Sequence, residues 1–193
     1  MGAPVMDRRT ASLRAAAGAT HPCVPAEDFA ASMRKLASGI VVVTTEVEGR
    51  PWGLTLSSVS SFSADPARIS LSVNKTNVTA RYIAERERFG VAILSDDKMA
   101  LAADLAAPGK PKFIAEEQLC SPGPRFSLPA IDGALYNIEC AVVFMVEAVD
   151  HVLVVADVVS ARAGAHAETA GPLTYFDRTF GSFAVGDPEG GIV

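Results

Sequence analysis

The sequence is short of cysteine and histidine, and it contains none of the motifs that identify the common metalloenzymes and hydrolases. Its three cysteines are Cys23, Cys120 and Cys140, and an odd, sparse set without a CxxC pair argues against a disulfide framework or a zinc site. Only three histidines and no HExxH motif are present, so no cluster has metal-ligand spacing. No GxSxG and no GxGxxG after a strand support hydrolase or Rossmann chemistry. We therefore expect free thiols in a reducing cytoplasm and no metal site.

Positive charge is also scarce. Seventeen Lys and Arg residues stand against 22 Asp and Glu residues, which gives a net charge of -5. Without a basic run, nucleic acid and anionic membrane surfaces are not expected as partners. No apolar stretch approaches the roughly 18 residues of a membrane span, and the Ala/Arg-rich start lacks the apolar stretch of a secretion signal. An acidic protein can still bind an anion locally, at backbone N–H groups and a helix N-terminus.

The pattern that is present is typical of an antiparallel β domain with short helices. β-Branched and alternating runs predict strands over residues 40–47, 52–62, 68–73, 89–94, 134–149, 151–163 and 173–176. Helices are predicted over 25–37, 76–86 and 95–106. Short turns favour antiparallel pairing, and a closed or nearly closed barrel would remove exposed edges. We expect one domain over 26–183, a flexible N-terminal extension over 1–25 and a C-terminal tail over 184–193.

The most informative segment is the hydroxyl-rich run RPWGLTLSSVSSFSADPARISLSVNKTN, over residues 50–77. In a strand, Thr55 and Ser57 would share one face, and Leu56 and Ser58 the other. Buried hydroxyls need partners. Either serine and threonine satisfy each other across neighbouring strands, or the segment is the wall of a site for a polar, phosphorylated, planar ligand.

The loop that follows this wall has the features of a phosphate site. Asn74, Lys75 and Asn77 lie between a strand and a helix, where backbone N–H groups and the helix dipole favour an anion. Ser72 and Thr76 add further donors. A simple helix cap would explain one of these residues but not all of them.

Five other side chains are weaker candidates, each with an ordinary structural explanation. Trp52 or Phe113 offers a ring surface for a flat heteroaromatic ligand. Lys112 precedes Phe113, but a lysine next to a proline is usually exposed to solvent. His151 begins a strand directly after a turn, where most histidines are hydrogen-bonded surface residues. Tyr175 is equally consistent with a core or rim position.

Taken in order, these blocks resemble a known family. The helix FAASMRKLASGIVVVTT is followed by WGLTLSSVSSFSADPARISLSVNKTN and ARYIAERERFGVAILS, and then by DGALYNIECAVV, DHVLVVADVV and PLTYFDRTFG. Over residues 28–183 the chain resembles the flavin reductases with an FMN-binding split barrel, the reductase partners of two-component flavin monooxygenases. The Gly-x-Thr-x-Ser-Ser run, the Asp-Pro turn and the Asn-Lys-Thr loop carry the likeness.

The resemblance implies a mainly β fold, an antiparallel, Greek-key-like split β-barrel with three short flanking α-helices. It implies a cytoplasmic homodimer that uses NADH or NADPH to reduce FMN or FAD for a monooxygenase partner. Thr55, Leu56, Ser57 and Ser58 would then meet the isoalloxazine and ribityl groups. Ser72, Asn74, Lys75 and Asn77 would hold the phosphate, Lys112 and Phe113 would lie beside the flavin, and His151 and Tyr175 would lie on the nicotinamide side, with His151 orienting the nicotinamide.

The chain departs from the family pattern at a few positions. Ala156 replaces a frequent glycine, Thr179 and Phe180 stand where basic and tyrosyl residues are common, and Lys110 lies where an acidic residue often stands. No arginine pair is visibly placed for a 2′-phosphate, which favours NADH. A flavin store, a reductase of another cofactor such as a corrinoid, and a ligand-free structural dimer module are the alternative functions.

Overall fold

The computed structural model describes residues 22–121 and 126–183. All of the predicted tail and most of the predicted N-terminal extension lie outside these residues. The helices are α1 (Ala26–Met33), α2 (Val78–Arg86) and α3 (Met99–Ala106). The strands are β1 (Ser38–Gly39), β2 (Val41–Val47), β3 (Arg50–Leu56), β4 (Ser60–Ala64), β5 (Ala67–Asn74), β6 (Arg88–Ile93), β7 (Leu119–Cys120), β8 (Ala130–Ile131), β9 (Tyr136–Ala148), β10 (His151–Ala163), β11 (Leu173–Phe176) and β12 (Thr179–Ser182). The predicted mainly β class with three short helices is confirmed.

Seven strands form one antiparallel sheet in the order β3-β2-β6-β9-β10-β5-β4. The long hairpin β9–β10, predicted from two apolar runs around Asp150, is its centre. A second sheet has the order β1-β11-β12, and β7 pairs with β8. None of the helices in the described ranges has the length and apolarity needed to cross a bilayer.

The predicted single strand over 52–62 is wrong. β3 ends at Leu56 and β4 begins at Ser60, and these two strands lie at opposite edges of the sheet. In a flat sheet the edges would be about 29 Å apart, at about 4.8 Å per strand spacing. The link Ser57–Val59 can span only about 14 Å. The sheet must therefore curl until its edges approach each other, although within the described residues β3 and β4 do not pair, so no closed barrel forms.

Two apolar clusters pack on opposite faces of the sheet because strand side chains alternate. One cluster contains Val43, Leu71 and Phe89 and is covered by Ile83 of α2. The other contains Val42, Leu94, Ala102, Leu105 and Leu173, contributed by the sheet, by α3 and by β11. The clusters anchor α2 and α3, whose ends border the candidate site.

A buried carboxylate fastens the segment after residue 125 to the sheet. Glu139 of β9 is fully buried. It forms an ion pair with Arg88, and it accepts hydrogen bonds from Ser127 N at 3.0 Å and Ser127 Oγ at 2.7 Å. A buried charge is tolerated only when it is paired and hydrogen-bonded, so this network holds Ser127 against the sheet.

The three cysteines are free thiols in the structure, as predicted. Cys140 is fully buried on β9. Burial, and then the neighbouring Glu139 carboxylate, raise the pKa of Cys140 to about 12. Its thiol is therefore protonated at neutral pH and serves as a small apolar side chain.

α2 begins within two residues of its predicted start, whereas α1 ends four residues earlier than predicted. Asn77 is the N-cap of α2, since its Oδ1 accepts a hydrogen bond from Thr79 N at 2.9 Å. α1 ends at Met33 instead of residue 37, and Gly39 belongs to β1. None of the α1 residues is buried.

The β9–β10 turn contains a residue in an unfavourable conformation. Val149 has φ of 57° and is 92% exposed. A non-glycine residue in the left-handed region costs roughly 1–2 kcal/mol, and a β-branched side chain is least suited to it. We therefore expect Val149→Gly to raise the melting temperature by about 2–4 °C, the shift that a net gain of about 1 kcal/mol produces in a domain of this size.

The matched control is Val159→Gly in the β10 strand, where the side chain is 50% exposed. Glycine inside a strand is destabilising by roughly 0.5–1 kcal/mol, so this variant should melt at a lower temperature. A drop in melting temperature for both variants would show that the turn is not strained.

Candidate functional site

The segment Thr55–Ser58, which we call the hydroxyl segment, lies where three cavities meet. Cavity A, of about 320 Å³, extends toward the N-terminus of α2. Cavity B, of about 410 Å³, extends toward the C-terminus of α3. Cavity C, of about 840 Å³, extends toward α1 and the β11–β12 hairpin. Ser57 lines all three cavities, and each volume is within the range of about 300–1,000 Å³ that small-molecule sites occupy.

Two side chains of the hydroxyl segment hold it in place by hydrogen bonds to the main chain of α3 and β5. Thr55 Oγ1 donates to Ala102 O of α3 at 2.8 Å, and Ser58 Oγ donates to Ser72 O of β5 at 2.6 Å. These two hydroxyls therefore join the segment to both walls of the gap between the sheet edges. Ser57 is exposed and forms no side-chain hydrogen bond with residues 22–121 or 126–183, so its hydroxyl remains available to a ligand.

Cavity A gathers most of the residues predicted to hold a phosphate. Ser72, Asn74 and Asn77 line it together with the hydroxyl segment. Asn74 Oδ1 accepts hydrogen bonds from Thr76 N at 3.0 Å and Thr76 Oγ1 at 2.7 Å, and Asn77 Oδ1 caps α2. Both amide oxygens are thus used, which leaves the NH2 donors. With no carboxylate in its lining and a helix N-terminus at one end, the cavity suits an anionic group.

His151 also lines cavity A, from the start of β10 opposite Asn74. Its Nδ1 lies 2.9 Å from Asp150 Oδ1, so Nε2 is the ring nitrogen left for a ligand. The hydrogen bond from His151 is the largest of the effects that lower the pKa of Asp150. The carboxylate orients the ring, as the second partner of a functional histidine commonly does.

The side chain of Lys75 does not lie in cavity A, where its predicted phosphate-binding role would place it. Its side chain borders a separate cavity with Arg81 and Met145, and its Nζ lies 3.9 Å from Glu147 Oε2. Its backbone N–H donates to Asp150 O at 3.0 Å, which ties the two loops around cavity A together. Lys75 therefore lies in the loop beside cavity A, but its ammonium group does not line that cavity.

Lys112 is engaged with the protein itself. It is 8% exposed, and its Nζ donates to Leu105 O at 2.6 Å and Ala107 O at 2.7 Å. Burial lowers the pKa of Lys112, an effect that Asp104 opposes and Lys110 reinforces. A cation at the last carbonyls of a helix is stabilising, so Lys112 holds the end of α3, which forms the wall of cavity B.

The aromatic residues proposed as ring surfaces pack against each other instead. Trp52 and Phe113 make an edge-to-face contact with centroids 5.1 Å apart, and Arg50 lies 3.7 Å from the Phe113 ring centroid. Trp52 is buried, with Nε1 donating to Thr79 Oγ1 at 3.1 Å. Trp52, Lys112 and Phe113 therefore lie outside the linings of cavities A, B and C.

Tyr175 lies between cavities B and C and lines both, with Phe180 edge-on to it at 5.2 Å between centroids. The sequence reasoning missed the other residues of this side, among them Arg34 and Arg178 of cavity C and Pro108 of cavity B. They come from distant parts of the chain. The exposed apolar face of α1 was the available signal.

Comparison with known proteins gives a consistent result. The profile of the flavin reductase like domain family matches residues 33–184. The reductase component of a 4-nitrophenol 4-monooxygenase/4-nitrocatechol 2-monooxygenase from Rhodococcus opacus is 34% identical over 149 residues, which cover 76% of this chain and 75% of that protein. An NADH:riboflavin 5'-phosphate oxidoreductase from Streptomyces pristinaespiralis is 32% identical over 167 residues, 84% of this chain and 93% of that protein.

Among solved structures, a flavin reductase in its native state superposes with a TM-score of 0.72 at 29% identity, and the match covers 84% of this chain and all of that one (100%). The family match spans most of the sequence and includes the hydroxyl segment, the loop before α2 and the β11–β12 hairpin. The chain therefore belongs to the flavin reductase like domain family.

Proposed function

We propose that this protein is an NADH-dependent flavin reductase that reduces FMN or FAD and supplies the reduced flavin to a partner monooxygenase. The relatives support both halves of this proposal, since one is named as an NADH:riboflavin 5'-phosphate oxidoreductase and another as the reductase component of a monooxygenase. The observation that carries it is the position of Ser57, at the junction of three cavities of which one ends at the α2 N-terminus.

The chemistry itself belongs to the two bound molecules, because the nicotinamide donates a hydride that the flavin N5 accepts. The protein has to bind both rings and stabilise the negative charge that forms on the flavin. Backbone N–H groups of the hydroxyl segment and the hydroxyl of Ser57 would serve the second purpose without a buried cation. No acid or base is required, which fits a site whose titratable side chain in cavity A is His151 alone.

The remaining site residues receive separate roles in this proposal. Ser72, Asn74 and Asn77 would bind the flavin phosphate in cavity A. Tyr175 would border the nicotinamide, and Asp150 would orient His151 toward it. Trp52, Lys112 and Phe113 would act indirectly, by holding β3 and the end of α3 behind the cavities.

The direct test is NADH oxidation by purified protein that has been stripped of flavin. We expect oxidation only after FMN or FAD is added, because the hydride has no other acceptor in the site. NADPH in a parallel assay measures the nicotinamide preference. Oxidation that continues in flavin-free protein would overturn the proposal. Flavin binding without oxidation of either nicotinamide would instead indicate a flavin store or a reductase of another cofactor, and no flavin binding would indicate a structural module.

A second test concerns the hydroxyl segment. Ser57→Leu places a larger apolar side chain where all three cavities meet and should weaken FMN binding by about tenfold or more, the equivalent of roughly 1.4 kcal/mol. Ser121→Leu, an exposed position outside cavities A, B and C, is the control and should bind FMN as the wild type does. Fluorescence titration gives both dissociation constants, and equal values would mean that the ligand lies elsewhere.

We further propose that the protein is a cytoplasmic homodimer and that its curled sheet is the family's split barrel. The short link between opposite sheet edges supports the barrel, and free cysteines are consistent with the cytoplasm. α1 supports the dimer, because Phe29 and Met33 of this helix and Leu36 just after it are 59%, 45% and 59% exposed, and no residue of the helix is buried. A second copy covering this face would remove a contiguous apolar patch from water.

Light scattering after size exclusion tests the dimer, with an expected mass of twice 20.1 kDa. Phe29→Gln should shift the protein toward the monomer, since the loss of one large buried side chain from each subunit weakens the interface by about 2–3 kcal/mol per side. Met99→Gln removes a similarly exposed side chain (44%) outside α1 and should leave the mass unchanged. A monomeric wild-type protein, or equal shifts in both variants, would contradict this interface.

A further inference from the structure

Trp52 does not touch the candidate site, yet it is bonded to both elements that carry that site. It lies buried in β3, three positions before the hydroxyl segment begins. Main-chain hydrogen bonds of 2.9 and 3.0 Å join the residues on either side of it to the segment 112–114. These bonds fix the main chain of Trp52, and a buried indole N–H usually has a hydrogen-bond partner.

The partner of this indole is the second residue of α2. Trp52 Nε1 donates to Thr79 Oγ1 at 3.1 Å, and Thr79 is itself fully buried. The bond therefore joins β3, which leads into the hydroxyl segment, to α2, whose N-terminus borders cavity A. Because 27 positions separate the two residues, the sequence gave no sign of this connection.

Thr79 continues the connection to the wall of cavity A. Its backbone N–H donates to Asn77 Oδ1 at 2.9 Å, and Asn77 lines cavity A. With its amide oxygen used in this way, Asn77 keeps its NH2 group for a ligand. A single residue thus contacts Trp52 through its side chain and Asn77 through its main chain.

The first turn of α2 depends on such contacts with the rest of the protein. α2 has only nine residues, and a helix of this length is marginal by itself. The first N–H groups of any helix also lack partners within it. Ile83, which is packed into the core, holds the helix one turn later, whereas the Trp52–Thr79 bond holds its beginning.

A ligand that spans cavity A contacts both elements at once. One end of such a ligand lies at the hydroxyl segment, which follows β3, and the other lies at the N-terminus of α2. Its affinity depends on how well the protein fixes these two ends relative to each other before binding, because preorganisation lowers the cost of association. A ligand that reaches only the hydroxyl segment does not depend on this alignment.

We propose that Trp52 is a positioning residue for the flavin phosphate, which acts through Thr79 to hold Asn77 and the start of α2 in place opposite the hydroxyl segment. This inference rests on the proposed function, in which the phosphate lies in cavity A. It replaces the ring-surface role predicted for Trp52 with an indirect one. The role concerns the phosphate of the flavin and leaves the isoalloxazine contacts to other residues.

The test is calorimetric titration of FMN and of riboflavin, which lacks the phosphate, into the wild-type protein, Trp52→Phe and Thr79→Val. Each variant removes one partner of the hydrogen bond and keeps a side chain of related shape. FMN binding should weaken at least about threefold, the change that loss of one hydrogen bond can produce, while riboflavin binding stays within about twofold. In NADH oxidation assays the KM for FMN should rise, with kcat at saturating FMN unchanged.

Two further variants separate this role from a general loss of packing. Thr79→Ser keeps the hydroxyl group and should bind FMN as the wild type does. Thr44→Val is the matched control, since Thr44 is a buried β2 residue whose Oγ1 donates to Pro129 O at 2.7 Å, and it lies outside cavities A, B and C. This control should leave the ratio of FMN to riboflavin affinity unchanged.

An equal loss of FMN and riboflavin binding in Trp52→Phe and Thr79→Val would overturn the inference, as would unchanged binding of both ligands. Equal affinity of the wild-type protein for FMN and riboflavin would also overturn it. If thermal melting shows that Trp52→Phe disturbs the core, Thr79→Val decides the question. Trp52 is the only tryptophan, so its emission maximum shows whether the indole stays buried in that variant. The proposed function fails separately, if wild-type protein with added flavin does not oxidise NADH.

Discussion

The short link between β3 and β4 is the constraint on which the rest of the structure depends. Three residues, Ser57–Val59, join strands at opposite edges of a seven-stranded sheet. Such a link is far too short for a flat sheet, so the sheet curls and its edges come close without pairing. The gap between the edges is where the cavities form, and the polar residues of the link necessarily line it.

Polar side chains around this gap have two roles. Some donate hydrogen bonds to the protein and hold the cavity walls, and others keep donors available for a ligand. Thr55, Ser58 and Lys112 donate to main-chain carbonyls of α3, β5 and the α3 C-terminus. Buried or half-buried polar groups require such partners. Ser57 and the amide nitrogens of Asn74 and Asn77 are left for a ligand, so part of the polar signal in the sequence is structural and part is functional.

Sequence reasoning succeeded where the determining interactions are local. The β9–β10 hairpin followed from two apolar runs around one turn, and Asn77 was among the expected caps of α2. It failed at residues 52–62, because a Ser-rich run continues the alternation of a strand while tertiary pairing divides it between two edges. The contact of Trp52 with Phe113 and its hydrogen bond to Thr79 were also not predicted, because these residues are far apart along the chain.

Composition, alternation and the order of a few motifs were enough to establish an antiparallel, mainly β domain of the flavin reductase family, because each depends on residues close together in the chain. They also indicated the hydroxyl segment and the loop before α2. Folding in three dimensions established the division of the cavities, the hydrogen bonds of Lys112 to the end of α3 and the placement of Arg34 and Arg178 along one cavity. Those features arise from strand order and from the hydrogen bond between the β11–β12 turn and the end of α1, which join segments that have no local relation to one another.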